Sequence, residues 1–370
     1  MLSFKIKKIT VLLLLLVTTT LLRGGVYSLQ DYLALMPSLD AKTEEIFNQY
    51  TTQERYAQLI MQAVGPLGKP NEYILDAIKK KQIGGVLFLK GDKAGFLNLN
   101  DKIKAFGIGR PAFPMMITAD AEPSLINRKI AGTPSLPKTN ELNNKEINEK
   151  TCQIINKELL DIGINWNFAP DCDLNINKAI IGNRSYGNTT EIVAKRALEF
   201  IHQTQNSNII ATAKHFPGHG NVIGDSHKGL VYINGALKEL PIYESLIEQG
   251  VLSIMVGHIA IKNNEEYNTA GLPSTCSKNI VTTLLRNKLN FRGLIITDAM
   301  NMGAILSVSK TPSLKALEAG VDIVLMPNGE QALIDLITQK CVTNLAFKNQ
   351  IEASVKRVIR MKICLGLYDE

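Results

Sequence analysis

The sequence contains few cysteines, and their spacing excludes two common uses of this residue. The five cysteines, Cys152, Cys172, Cys276, Cys341 and Cys364, are odd in number and scattered along 370 residues. No two of them form a C-x-x-C pair, so neither a zinc site nor a disulfide framework is indicated. We therefore expect most of them to be buried thiols.

Basic tracts of the kind that bind nucleic acid are also absent. No run of five or more basic residues occurs, and four of the charges in the formal net charge of +7 lie in the first 28 residues, which contain no acid. Without these four charges the remaining chain has a formal net charge of +3. We therefore expect no nucleic-acid partner.

The chain lacks internal repeats, low-complexity tracts and Pro/Gly-rich linkers that would divide it into modules. Its composition, 45% hydrophobic and 20% charged, is that of an ordinary globular protein. After a signal segment at residues 1–28, we expect a single domain over residues 29–370, and we expect it to be a monomer.

The first 28 residues have the three parts of a secretory signal. Lys5, Lys7 and Lys8 precede an apolar segment from Ile9 to Leu22, and small residues follow where a signal peptidase would read them. The segment is shorter than the roughly 20 apolar residues that a membrane helix needs, although a retained anchor is the alternative. Cleavage near Ser28 would give an exported protein, periplasmic or secreted, with no membrane span.

Apolar runs alternate with segments of helical period along most of the chain. Seven runs are typical of buried strands: 83–89, 114–118, 164–169, 208–213, 252–256, 293–297 and 321–326. Residues 29–81 are instead predicted to be helical and polar, and an expected eighth strand is too weak to locate. This alternation predicts parallel strands covered by helices.

Helix boundaries are marked by capping residues. Asn188 followed by Glu191 has the spacing of a capping box and predicts one helix start. Thr311 and Pro312 predict a second start, and Gly320 predicts the end of that helix.

Polar residues fall at the ends of several predicted strands. Asp120, Lys214, His215, His258 and Asp298 each follow an apolar run. Side chains at the carboxyl ends of many strands converge on one centre only if the sheet closes. We therefore predict an α/β fold of the TIM type, a (β/α)8 barrel, rather than the competing doubly wound open sheet.

The most informative stretch is residues 213–228, which read A-K-H-F-P-G-H-G-N-V-I-G-D-S-H-K and hold three of the five histidines. Lys214 and His215 end a predicted strand. Asp225 precedes His227 by two residues, a spacing that lets the carboxylate accept the ring N–H of an imidazole acting as general acid/base near neutral pH. For an isolated D-S-H triplet, a surface loop with a helix cap is the alternative.

K-H-F-P-G-H-G followed by D-S-H resembles the signature of glycoside hydrolase family 3, in its β-N-acetylhexosaminidase branch. The resemblance extends from about residue 50 to the C-terminus and includes the segment 291–303, which resembles the family's nucleophile segment. It implies a retaining glycosidase in which Asp298 is the nucleophile and His227, oriented by Asp225, is the acid/base.

The resemblance also implies a set of substrate-binding residues: Asp120, Arg128, Arg184, Lys214 and His215. Asp120 would bind hydroxyls of the terminal sugar. The sequence departs from the family after Glu122, where Pro123-Ser124-Leu125 replaces the usual Gly-Gly-Arg. This departure affects the shape of the loop that carries Arg128.

The implied activity is an exo-β-N-acetylglucosaminidase acting on N-acetylglucosaminides such as muropeptides in peptidoglycan turnover, without cofactor or metal. A β-glucosidase or a glycoside phosphorylase of the same family is the alternative, and a non-catalytic sugar-binding relative is another. A metal-dependent barrel hydrolase is the alternative from a different class. Its ligands would be His215, His219, His227, His258 and Asp225, but the sequence has no H-x-H at an early strand.

Overall fold

The protein is built around a sheet of eight parallel strands, β1 to β8. A computed structural model describes residues 27–107, 112–176, 178, 180–222, 229–306 and 308–369. The strands are β1 Ile60–Val64, β2 Gly85–Phe88, β3 Met116–Ala119, β4 Trp166–Asn167, β5 Ile210–Phe216, β6 Ser253–Val256, β7 Leu294–Thr297 and β8 Val324–Leu325. The seven predicted runs locate β2 to β8, although β3 extends one residue further and β5 three residues further.

The strands pair in chain order, and the sheet closes on itself. Its order is β7-β6-β5-β4-β3-β2-β1-β8, with every pair parallel. Ile296 of β7 bridges to Ile323, directly before β8, and the Thr297 amide donates to the Ile323 carbonyl at 3.1 Å. The fold is therefore a TIM-type (β/α)8 barrel, as predicted, and not an open sheet.

The strand that the sequence did not reveal is β1, in the segment predicted to be helical and polar. That prediction is wrong for residues 60–64, which pair with β2 and β8 and are all buried. Gln62 interrupts the apolar run, and this hid the strand. Its side-chain amide donates to Glu330 Oε1 at 2.6 Å, which satisfies a polar group inside the protein.

Helices surround the strands. In the described part of the chain the α-helices are α1 Pro37–Gln49, α2 Thr52–Ala57, α3 Asn71–Lys79, α4 Lys93–Gly107, α5 Ile126–Lys129, α6 Lys145–Ile162, α7 Thr190–Asn206, α8 Leu240–Glu248, α9 Gly303–Leu306, α10 Pro312–Ala319, α11 Glu330–Thr343 and α12 Leu345–Cys364. Asn279–Lys288 is a π-helical segment. None of these helices is long and apolar enough to cross a bilayer.

The capping signals locate helix starts to within one residue. Thr189, not Asn188, caps α7, because the Thr189 hydroxyl is the group that accepts from the Ile192 amide at 3.4 Å. Helix α10 has Thr311 at its N-cap and is followed by Gly320, as predicted. Gly320 has φ +109°, a left-handed conformation that favours glycine.

The predicted buried residues lie in the core. All five cysteines are buried thiols without a disulfide. Trp166 is fully buried, and its indole N–H donates to Thr212 Oγ1 at 2.6 Å. It belongs to the core.

Two small parallel sheets lie on the carboxyl side of the barrel. One pairs Gly91–Asp92 with Ile130–Ala131, after β2 and β3. The other pairs Val231–Asn234 with Ile259–Lys262, after β5 and β6. They fix the loops on the side of the barrel where active sites occur.

The two ends of the described chain meet at the opposite, amino side of the barrel. Arg360 of α12 donates to the carbonyls of Tyr32, at 2.8 Å, and Ala34, at 2.7 Å. Arg292, just before β7, donates to the Leu33 carbonyl. The predicted signal segment, 1–28, lies outside the described residues except for its last two positions, so signal cleavage and the 29–370 domain boundary stay predictions.

Candidate active site

A cavity of about 460 Å³ opens at the carboxyl ends of the barrel strands. It is lined by six predicted site residues: Asp120, Arg128, Arg184, Lys214, His215 and Asp298. These residues lie on or after β3, β4, β5 and β7. The convergence that led to the barrel prediction is therefore present for Asp120, Lys214, His215 and Asp298, whereas the fully buried His258 does not line the cavity.

Asp298 follows β7 directly. Its backbone N–H donates to the Val256 carbonyl at 2.9 Å, which fixes the residue against β6. Its Oδ1 accepts the Ala299 backbone N–H at 2.7 Å. The carboxylate is partly exposed and lines the cavity, so its orientation is set by backbone contacts while a bound molecule could reach it.

Lys214 and His215 both line the cavity, although consecutive residues of a regular strand point to opposite faces. The pairing of β5 with β6 shifts at this point, because Lys214 pairs with Met255 and Phe216 with the next residue, Val256. An extra residue in one strand is a bulge, which redirects side chains near active sites. The irregularity accounts for two adjacent polar side chains on one side.

Lys214 joins two carboxylates at the floor of the cavity. Its ammonium contacts Asp120 Oδ1, and it lies 2.6 Å from Glu122 Oε1. Burial raises the pKa of Asp120, but Lys214, Lys129 and Arg184 outweigh burial and hold the pKa below its usual range. Because its pKa is lowered, Asp120 is a carboxylate at neutral pH and can accept hydrogen bonds from hydroxyl groups.

Arg184 is held by two buried acids. Its guanidinium makes a bidentate contact with Glu122, at 2.8 and 2.7 Å, and lies 3.0 Å from Asp171 Oδ2. Burial raises the pKa of Asp171 to about 7. The positive charge of Arg184 lowers this pKa, but the negative charges of Asp173 and Glu122 act in the same direction as burial, so the net shift is upward. The side chain of Arg184 is 19% exposed, so it reaches the cavity from the edge of this network.

His215 is paired with Asp173. Its Nδ1 lies 2.6 Å from Asp173 Oδ2, and Asp173 Oδ1 accepts the backbone N–H of His219 at 2.7 Å. Burial lowers the pKa of His215, but Asp173, Asp171 and Asp298 oppose burial and raise the pKa above its ordinary value. The protein therefore stabilises a positive charge on this ring at the cavity wall.

Comparison with known proteins decides the family. The model described as "Glycosyl hydrolase family 3 N terminal domain" matches residues 51–361. The chain belongs to glycosyl hydrolase family 3.

Relatives of this family 3 chain include curated proteins named beta-hexosaminidase. "Beta-hexosaminidase A" of Pseudoalteromonas piscicida is 29% identical over 78% of this chain, and the match spans only 54% of that protein. A "Beta-hexosaminidase" of Vibrio cholerae is 27% identical over 71% of this chain and 80% of its own length.

Two solved structures show the same barrel. A family 3 beta-N-acetylglucosaminidase from Paenibacillus sp. is 28% identical, with a TM-score of 0.78 over 86% of this chain and 63% of that one. A beta-glucoside phosphorylase, BglX, superimposes with a TM-score of 0.80 at 20% identity, which shows the fold alone.

The two remaining predicted catalytic residues of this family 3 chain, Asp225 and His227, lie outside the described residues. The described chain stops at 222 and resumes at 229. Their predicted role as orienting acid and acid/base therefore stays a prediction.

The departure at Pro123-Ser124-Leu125 forms a buried, hydrogen-bonded turn. Ser124 Oγ donates to the Asn183 carbonyl at 2.6 Å and accepts the Thr139 backbone N–H at 2.9 Å. The turn is thus tied to the segment that carries Arg184. Arg128 follows in α5, exposed on the cavity rim.

Asp171, Asp173 and His215 are the three groups in the described chain whose ligand atoms lie near enough to hold one metal ion, all within 4.8 Å of one another. Within this group, His215 Nδ1 and Asp173 Oδ2 contact each other directly at 2.6 Å, a short hydrogen bond. His258 is fully buried, between Thr275 Oγ1 and the Ala299 carbonyl. His258 therefore does not join this cluster.

Sequence reasoning missed Lys129, which lines the cavity. It also missed four acids that contact cavity residues or the glycine turn: Glu122, Asp171, Asp173 and Glu239. Two of these acids could have been noticed, because Asp171 and Asp173 follow the β4 segment just as other site residues follow their strands. Glu239 lies 19 residues beyond Gly220 and gives no local signal.

Proposed function

We propose that this family 3 protein is a retaining exo-β-N-acetylglucosaminidase, a β-N-acetylhexosaminidase that removes terminal non-reducing N-acetylglucosamine. Family membership and relatives named beta-hexosaminidase support this proposal. The observation that carries it is the position of Asp298 at the end of β7, in the same cavity as Asp120, Lys214 and His215.

In the proposed mechanism, Asp298 attacks the anomeric carbon and forms a covalent glycosyl-enzyme. His227, oriented by Asp225, donates a proton to the departing oxygen. The same histidine then accepts a proton from the water that releases the sugar, so that configuration is retained. The assignment of His227 and Asp225 is supported by their motif alone.

Substrate binding is assigned to the charged residues of the cavity. Asp120 accepts hydrogen bonds from two vicinal hydroxyls, and Lys214, His215, Arg128 and Arg184 act as donors. An analogue that leaves the Asp120 carboxylate unpaired would be disfavoured. Peptidoglycan fragments are the proposed natural substrates. We further propose that the N-terminal signal exports the protein to the compartment where these fragments occur.

The test is replacement of Asp298 by alanine. D298A should lose roughly 10⁴-fold or more in kcat on a fluorogenic N-acetylglucosaminide, because the covalent intermediate cannot form. Asp335→Ala, an exposed acid on α11, is the matched control and should retain full activity. Parent-like activity in D298A would exclude Asp298 as nucleophile.

The same assay separates the related activities. The parent should cleave the N-acetylglucosaminide faster than the corresponding glucoside, and its product in phosphate buffer should be the free sugar. Preference for the glucoside would indicate a β-glucosidase. Formation of sugar 1-phosphate would indicate a phosphorylase.

A further inference from the structure

Asp120, the proposed sugar-binding acid, lies between two ammonium groups. Lys214 contacts Oδ1, and the Lys129 Nζ lies 3.5 Å from Oδ2. Lys214 also contacts Glu122, which is fully buried, and the Lys214 side chain is itself buried at the floor of the cavity. Lys129 differs because its side chain is 24% exposed and lines the cavity wall.

The backbone around Lys129 is fixed on both sides. Its N–H donates to the Leu125 carbonyl at 3.1 Å, so residues 125 and 129 lie one helical turn apart and both line the cavity. The next two residues, Ile130–Ala131, pair with Gly91–Asp92 in a small sheet. The backbone therefore fixes where the lysine begins, and its partly exposed side chain reaches the cavity beside Asp120.

The distance between Lys129 and Asp120 is suited to a third group. At 3.5 Å the two are an ion pair but exceed the usual length of a charged hydrogen bond. A sugar hydroxyl can donate to the carboxylate and accept from the ammonium at once, so it would satisfy both groups. Asp120 is 19% exposed, which leaves Oδ2 accessible from the cavity.

We propose that Lys129 is a specificity-determining residue that acts with Asp120, donating to one of the two vicinal hydroxyls that Asp120 accepts from. This inference rests on the proposed function. In N-acetylglucosamine the 2-position carries the acetamido group, so the available vicinal pair is the 3- and 4-hydroxyls. Because these hydroxyls are remote from the bond that breaks, the contact is made equally in the ground state and the transition state.

The expected result for Lys129→Met is therefore a KM raised about 10-fold with kcat within about threefold of the parent, the size of one charged hydrogen bond. Lys129→Arg should restore most of the KM, since it returns the positive charge. Lys145→Met is the matched control: Lys145 makes a surface ion pair with Glu149 at 3.6 Å on α6 and does not line the cavity. It should leave both constants unchanged.

Deoxy substrates give a readout that a structural role would not produce. With the analogue that lacks the contacted hydroxyl, either the 3- or the 4-deoxy sugar, K129M and the parent should have the same KM. Lys129→Gln repeats the comparison if K129M is unstable. Equal KM values for K129M and the parent on the full substrate would overturn the inference, as would a loss that persists with both deoxy analogues.

Failure of the proposed function is distinguishable. The parent could hydrolyse neither the N-acetylglucosaminide nor the glucoside. In that case calorimetric titration with N-acetylglucosamine measures Kd for the parent and for K129M, and Kd is compared in place of KM. A Kd raised about 10-fold in K129M would support the contact even without hydrolysis. An unchanged Kd, or no binding to the parent, would overturn it.

Discussion

His215 shows, at the scale of a single residue, what an imidazole at a strand end needs from the rest of the chain. The sequence predicted that this ring would face a ligand, because it ends an apolar strand. Its partner, Asp173, lies 42 residues earlier and was not identified. The pair fixes which ring nitrogen faces the acid and leaves the other edge of the imidazole for the cavity.

Asp173→Asn should lower the pKa of His215, because the substitution removes the largest charge that opposes burial. Histidine ring signals followed by NMR between pH 5 and 9 would measure the change. The matched control is Asp335→Asn on the surface. An unchanged His215 pKa in D173N would contradict the assignment of this pair.

The same pair predicts how stability depends on pH. The folded-state pKa of His215 is raised, so its contribution to stability is fully present below the unfolded pKa, about 6.5, and is lost as pH rises through the folded pKa. The loss of unfolding free energy in D173N should therefore be larger at pH 5.5 than at pH 9, as measured by urea denaturation.

At the scale of an element, the glycine turn after β5 is fixed by a residue from the start of α8. Glu239 Oε1 accepts the backbone N–H of Leu174 at 2.7 Å and that of Gly220 at 3.1 Å. A Cβ on Gly220 would lie 2.1 Å from the Leu174 carbonyl oxygen, so only glycine fits. The turn that holds His219 is thus packed between the loop after β4 and the residue that precedes α8.

Glu239→Gln and Glu239→Ala should behave differently. Burial, with the charge of Asp173, raises the pKa of Glu239 well above its ordinary value, so burial disfavours the charged form. Glutamine keeps a carbonyl acceptor for the Leu174 and Gly220 amides without a charge. E239Q should remain within about 1 kcal/mol of the parent. E239A leaves two buried N–H groups without an acceptor and should cost about 2–5 kcal/mol in unfolding free energy.

Urea denaturation checks both values, and Glu244→Ala, an exposed acid on the same helix, is the control. Equal losses for E239Q and E239A would contradict the proposed acceptor role. Assays of both variants would then show whether a distorted turn also impairs turnover.

Elements differed in how far sequence could predict them. Strands β2 to β8 lie in apolar runs because both faces of a barrel strand are covered. Strand β1 was missed because Gln62 is satisfied by Glu330, a partner 268 residues away that no local pattern reveals.

The cavity residues were found as strand ends, but their ion pairs could not be predicted. These pairs join residues that are far apart in the sequence, such as Asp120 and Lys214, which are separated by 94 positions, and they depend on barrel closure.

At the scale of the whole molecule, Lys362 joins α12 to the amino end of the barrel. Its ammonium is fully buried and donates to Gln58 Oε1 at 2.6 Å, the Gly84 carbonyl at 2.9 Å and the Pro114 carbonyl at 2.7 Å. The latter two carbonyls precede β2 and β3. Three acceptors match the three hydrogens of an ammonium group, although burial lowers the pKa of Lys362 to about 7.

Lys362→Met should destabilise the protein by about 3–5 kcal/mol, because it leaves three buried acceptors without a donor. Lys356→Met on the same helix, which removes a partly exposed ion pair with Glu44, should cost about 1 kcal/mol or less. The midpoint of urea unfolding measures both. A K362M variant as stable as K356M would show that the three carbonyls do not depend on the lysine.

The meeting of Tyr32, Ala34 and Arg360 on the amino side has a practical consequence for handling the protein. A support or tag joined at position 27 or 369 would attach on the amino side of the barrel. The cavity that Asp298 lines would then face the solvent with either attachment. Immobilised beads prepared through either attachment should thus accept bulky glycans equally well.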